Sequence, residues 1–248
     1  NDIKEAKKRL AGTVLNTHLV KAPILSKALN SEIYLKEDNL QLTGSFKIRG
    51  AFNKLAMMDD KRRKNGVVAA SAGNHAQGLA YAAQHFGCEA TIFMPEATPL
   101  TKVSGVKSYG ANVVLVGENF DEAYATATKS ALDNDKEFIH PFADDAVIAG
   151  QGTIALEILE KIEDIEHIIV PIGGGGLISG IAIAAKAINP NIKITGVVAS
   201  GARGMKDSFE ARMPIDSASV KTIADGIAVR DVTPKLLDII LEYVDQIV

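Results

Sequence analysis

Six short apolar runs alternate with stretches of helical periodicity along these 248 residues. The expected strands are residues 32–36, 67–70, 90–94, 112–116, 167–171 and 192–198. Strands separated by helices cannot pair through tight turns, and a crossover helix returns each strand parallel to the last. The expected fold is therefore α/β, with open, mostly parallel sheets carrying helices on both faces. Some helices are legible in detail. Asn119 followed three residues later by Glu122 forms a capping box with Asn in place of Ser or Thr. Phe120, Ala123, Tyr124, Ala127 and Ala131 then share one helical face. Residues 144–163 read as a longer helix with Val147, Ile154, Ile158 and Ile162 inward. Residues 241–248 read as a helix end running into a strand start at Val244, Ile247 and Val248, with no turn after it, the pattern expected of an unfinished domain.

Composition narrows the function classes. Twenty-seven basic against thirty acidic residues leave a net charge of -3, which gives no electrostatic reason to expect a nucleic acid or a membrane surface as partner. The single cysteine, Cys88, excludes an internal disulfide and points to a reducing, cytoplasmic setting. The longest apolar stretch, residues 168–185, is interrupted by glycines, a proline and a serine, so no membrane helix is expected. The charged opening NDIKEAKKRL does not read as a secretion signal. The five histidines have no metal-ligand spacing, and no G-x-S-x-G elbow is present.

Three segments carry chemistry. In the first, an apolar strand runs into Gly173, Gly174, Gly175 and Gly176 and then a small-residue helix. Four glycines clear the turn of side chains, so backbone N–H groups at a positive helix end can converge on an anion such as phosphate. No Gly-Lys-Ser/Thr follows and no acidic residue closes the next strand, which excludes the P-loop and the dinucleotide fingerprint. A tight turn that merely permits close packing is the plainer reading of the same glycines. In the second, a strand ends at Ser71, Ala72 and Gly73, and a helix begins near Asn74 and His75. Its exposed donors suit a carboxylate or phosphate, although Asn74 reads equally well as a simple helix cap. The third is Gly44-Ser45-Phe46-Lys47-Ile48-Arg49-Gly50-Ala51. A lysine near a helix start is usually a solvated side chain. The positive helix end would also lower its pKa and make the amine a better nucleophile.

Taken together and in order, GSFKIRGA, SAGNHAQG and GGGGL resemble the serine/threonine dehydratases of the tryptophan-synthase-β-like pyridoxal-phosphate enzymes. IAGQGTIALEI at 148–158 and TIADGIAV at 222–229 are similar to further segments of that family, so the resemblance spans essentially the whole chain. It implies that Lys47 forms the Schiff base with pyridoxal phosphate and takes the substrate's α-proton. It places Phe46 beside the cofactor ring and Asn74 on the phenolic oxygen. Ser71, Ala72, Gly73, Asn74 and His75 would bind the substrate carboxylate. Gly173, Gly174, Gly175, Gly176 and Leu177 would hold the cofactor phosphate. It implies a small α/β domain over 40–142 and a large one from 1–39 and 143–248, with the cofactor between them.

The implied activity is conversion of L-threonine to 2-oxobutanoate and ammonia, with L-serine to pyruvate second, in isoleucine biosynthesis or threonine catabolism. A homodimer or homotetramer is expected. Racemases of the family carry a proton-donating serine where this chain has Ala72, which favours elimination over serine racemisation. Cysteine-synthase-like enzymes follow their lysine with Asp-Arg, whereas Ile48-Arg49 stands here. The family's Ser-Gly-Gly-like segment, which serves the pyridine nitrogen, does not occur in this chain, so a truncated, non-catalytic binding fragment is the alternative of another class.

Overall fold

The computed structural model describes all 248 residues. In chain order the elements are α1 (Asp2–Leu10), β1 (Leu19–Lys21), α2 (Pro23–Leu29), β2 (Tyr34–Lys36), α3 (Lys47–Met57), α4 (Asp60–Asn65), β3 (Val67–Ala70), α5 (Asn74–His85), β4 (Ala90–Met94), α6 (Leu100–Lys107), β5 (Asn112–Leu115), α7 (Phe120–Asp133), β6 (Glu137–Phe138), α8 (Asp145–Leu159), β7 (His167–Pro171), α9 (Gly176–Ile188), β8 (Lys193–Val197), α10 (Gly204–Ala211), α11 (Pro234–Tyr243) and β9 (Gln246–Ile247). Two parallel sheets form, ordered β5-β4-β3-β6 and β7-β8-β9. The first is covered on both faces. Val67, Ala69, Ile92 and Met94 join one apolar core with α3 and α5, while Val68, Ala70 and Phe93 turn to α7 on the other side. A second core packs β7, β8 and β9 against α8, α9 and α11. No helix is long and apolar enough to cross a membrane.

Some expectations are corrected. The strand expected at 32–36 begins at Tyr34 and belongs to neither parallel sheet; it pairs antiparallel with β1, a strand not anticipated, through Leu19↔Lys36, Val20↔Leu35 and Lys21↔Tyr34. The long helix stops at Leu159, leaving Ile162 outside it and half-buried. Glu160, Glu163 and Asp164 follow, and carboxylates at the negative end of a helix oppose its continuation. The Asn119 cap forms: its side chain accepts from Glu122 N at 3.1 Å, while Glu122 reaches back to Glu118 N at 2.9 Å. Ala123, Ala127 and Ala131 are buried beneath it, but Phe120, in the first turn, stays exposed.

Glycines set the helix spacing. A methyl group added at Gly150 of α8 would lie 2.6 Å from Gly50 Cα of α3, and one at Gly180 of α9 would lie 2.3 Å from Ile148 O of α8. A methyl group at Gly78 of α5 would lie 2.9 Å from Ile48 N, in the first turn of α3. Backbones this close leave no room for a side chain. The crossings fix α3, α5, α8 and α9 into one block, with the starts of α3 and α5 side by side.

Candidate functional site

Three junctions at the carboxyl ends of parallel strands meet at the start of α3, the usual place for a ligand on such sheets. Lys47 is the first residue of α3 and lies half-buried in the cleft between them. Its amine donates to Pro141 O at 3.0 Å and sits 5.5 Å from the ring centroid of Phe46 and 6.0 Å from that of Phe142. Burial pulls the amine down to about 8, so it holds a substantial neutral fraction near physiological pH.

Phe142 connects this amine to the glycine loop. A methyl group at Gly174 would lie 2.6 Å from its ring, and one at Gly176 would lie 2.8 Å from its carbonyl oxygen. Gly175 has φ +93°, a left-handed backbone that a side chain would strain. The close-packing reading of the loop is therefore observed, and the donors that an anion would need stay free. The backbone N–H groups of residues 173–178 have no acceptor within the chain. Leu177 is half-buried against the core of the second sheet.

The junction after β3 is similar. The N–H groups of Ala72, Asn74, His75 and Ala76 have no acceptor in the chain. Gly73 N is taken by Ser71 Oγ at 3.2 Å. Gly73, not Asn74, occupies the cap position of α5, so the cap reading of Asn74 does not hold. Asn74 is exposed and its amide faces Gly226, whose own neighbourhood reaches Gly173: a methyl group at Gly173 would lie 3.0 Å from Ile227 Cα and 3.5 Å from Gly226 O. The segment 224–229 thus runs between the two donor loops.

His75 follows Asn74 in the first turn of α5. It is buried, and its Nε2 donates to Ile139 O at 3.0 Å, which leaves Nδ1 as an acceptor with no partner. Burial first, and the charge of Lys47 second, hold its pKa down to about 3.

Sequence reasoning missed the third junction, residues 139–144. It has no glycine to draw attention, yet it supplies the acceptor for Lys47, the wall behind the glycine loop, and Asp144, which caps α8 by accepting from Ala146 N and Val147 N. The available signal was His140-Pro141-Phe142 between a strand and an Asp cap.

A family model described as pyridoxal-phosphate dependent enzyme matches residues 10–248. An L-threonine ammonia-lyase of Thermotoga maritima is 48% identical across the whole chain, which spans 62% of that relative's length. Among solved structures, the processed form of threonine deaminase isoform 2 from Solanum lycopersicum superposes with TM-score 0.94 at 39% identity, over 100% of this chain and 68% of that one. Maize serine racemase superposes at 0.96 and 36% identity, over 99% and 74%. The match along nearly all residues settles what the convergent loops suggested: this chain belongs to the pyridoxal-phosphate-dependent enzymes.

Proposed function

We propose that the protein is an ammonia-lyase converting L-threonine to 2-oxobutanoate and ammonia, with L-serine to pyruvate as a second activity. The observation that carries this reading is the Lys47 amine, lowered by burial and flanked by two helix starts whose N–H groups have no acceptor. Those features fit the family's cofactor: an aldehyde needs a partly neutral amine, and a phosphate needs donors that nothing else has taken.

In this reading Gly173, Gly174, Gly175, Gly176 and Leu177 hold the phosphate through backbone N–H groups. Lys47 anchors the cofactor, with Phe46 beside its ring and the Asn74 amide on its phenolic oxygen. The free N–H groups of the Ser71–His75 loop bind the substrate carboxylate, while Ser71 Oγ, which takes Gly73 N, shapes that loop. When bound, the cofactor supplies an electron sink for the substrate's α-carbon. Lys47 Nζ, freed when the substrate's amino group takes its place, would accept the α-proton, which with the departing β-hydroxyl makes one water; the unsaturated amine left behind takes up a water and gives the 2-oxo acid and ammonia. Incubating the protein with pyridoxal phosphate and L-threonine or L-serine, and measuring 2-oxo acid, tests the reading. Absence of turnover with both substrates would leave the non-catalytic binding fragment.

Serine racemase is the second reading, favoured by the likeness to the maize enzyme. Ala72 speaks against it, because a methyl group has no proton to deliver. Elimination of L-serine is expected to outpace formation of D-serine, and chiral chromatography of the products decides between them.

Two further results are expected. Gly174→Ala should weaken pyridoxal-phosphate binding by at least about tenfold, because the added methyl group collides with the Phe142 ring. Unchanged affinity in a spectroscopic titration would place the phosphate elsewhere. Cofactor uptake by the stripped protein should follow the neutral fraction of Lys47. Its rate should rise about tenfold per pH unit below pH 8 and level off above, the sign required by an amine that reacts only when deprotonated. A rate flat from pH 6 to 9 would show that this amine does not limit uptake.

Homodimeric or homotetrameric assembly and a cytoplasmic location belong to the same reading. Ile24, Leu25 and Leu29 are exposed on α2, which buries no residue in the single chain, and this supports self-association. Light scattering on the purified protein measures it.

A further inference from the structure

His140 has no place in the scheme above, yet it stands at the centre of the third junction. Its Nδ1 accepts from Ala143 N at 2.9 Å and from Phe142 N at 3.2 Å. A ring nitrogen that accepts two N–H groups carries a lone pair and no proton, so the imidazole is neutral with its proton on Nε2. Burial, followed by the charge of Lys47, holds its pKa down to about 4, in keeping with that tautomer. The two bonds close residues 140–143 into a tight turn. Its outer points are Pro141 O, which accepts from the Lys47 amine, and Phe142, which stands against Gly174 and Gly176. The His140 ring also packs edge-on against that of Phe142, with centroids 4.6 Å apart.

We infer that His140 is a positioning residue for Lys47 and the glycine loop together: its Nδ1 lone pair holds the turn that presents the acceptor for the amine and the wall behind the loop. Neither Lys47 nor any loop glycine bonds to His140, so the effect passes through Pro141 and Phe142. The inference rests on the reading of Lys47 as the cofactor lysine, but its test does not depend on the substrate.

Asparagine is the discriminating replacement. Its Oδ1 stands as many bonds from the backbone as histidine Nδ1 and readily accepts from N–H groups two and three residues ahead. Leucine fills comparable volume with no acceptor, and alanine provides neither. Two quantities are read on the full chain: the dissociation constant for pyridoxal phosphate, and the pH midpoint of Lys47 acylation in the cofactor-free protein by peptide mass spectrometry. His140→Asn should stay within about threefold of the original affinity, whereas His140→Leu and His140→Ala should weaken it by at least about tenfold. Their acylation midpoint should move up from near 8 as the loosened turn admits water to the amine.

Equal affinities and midpoints across all four proteins would overturn the inference. So would an asparagine variant that is as weak as leucine, or that fails to fold. If the alanine variant does not fold, asparagine against leucine decides alone. A protein that shows the expected pattern but turns over neither threonine nor serine would refute the proposed activity and leave His140's role standing. Turnover of threonine with no effect of the acceptor at 140 would do the reverse.

Discussion

Lys47→Ala is expected to abolish turnover of threonine and serine, a loss of at least about 10⁴-fold, because one residue both anchors the cofactor and moves the proton. The visible absorption that marks a cofactor held covalently by lysine should vanish with it. Lys47→Arg should be as inactive, since a guanidinium is never neutral at working pH. The fold should survive both changes. Lys47 is the first residue of α3, where side chains contribute little to the helix, and its amine makes one hydrogen bond, to Pro141 O. Far-ultraviolet circular dichroism on the variants separates lost chemistry from lost structure. Turnover near the original rate in either variant would remove Lys47 from the reaction.

That lysine could be singled out from sequence only through the resemblance of the segment around it, GSFKIRGA, to one family; by itself it reads as a solvated side chain. The parallel strands were legible from their own residues. Val67–Ala70, Ala90–Met94 and His167–Pro171 are compact apolar runs that form with those bounds; the first two are buried almost throughout, and in the third Ile168 and Val170 face inward. What sequence could not supply depends on distant partners. β1 and β2 are three residues each and exist through their mutual ladder. Glycines at 50, 78, 150 and 180 would weaken an isolated helix, whereas in the fold each is where another backbone passes at contact distance. Their identity is local and their reason is not. Pro141 and His140 offered only the weak signal of His-Pro-Phe between a strand and an Asp cap, because residue type alone does not reveal the groups that matter there, a carbonyl oxygen and a ring lone pair facing its own turn.

Arg49 is the strongest example of a local residue with distant reasons, and its loss should have the largest effect on stability. It lies two residues beyond Lys47 with 0% of its surface exposed. Its Nε and Nη2 donate to Asp38 Oδ2 and Oδ1 at 2.7 and 2.9 Å, and its Nη1 and Nη2 donate to Glu157 Oε1 and Oε2 at 2.6 and 2.9 Å. Thr153 Oγ1 and Leu15 O accept as well, at 3.1 and 3.2 Å. Lys36 Nζ lies 2.6 Å from Glu157 Oε2, so two cations face two carboxylates. Asp38 and Glu157 hold the guanidinium's pKa up against the cost of burial.

Arg49→Met fills similar space but leaves two buried carboxylates facing one ammonium. Breaking a buried pair from one side costs about 3–5 kcal/mol, far more than losing an exposed pair such as Lys8–Glu5. For a chain of this size that is roughly 6–20 °C in melting temperature. Arg49→Lys should recover less than half of the loss, because a single ammonium cannot bond two carboxylates in parallel pairs. The consequence should reach the cleft. α3, which begins at Lys47, is tied by this fork to α8, which begins just past the turn that holds the Lys47 amine. A variant with Arg49 replaced should therefore lose cofactor affinity even well below its melting temperature. Chemical denaturation showing less than about 1 kcal/mol of destabilisation would mean that the helix crossing at Gly50 and Gly150 holds α3 without the fork.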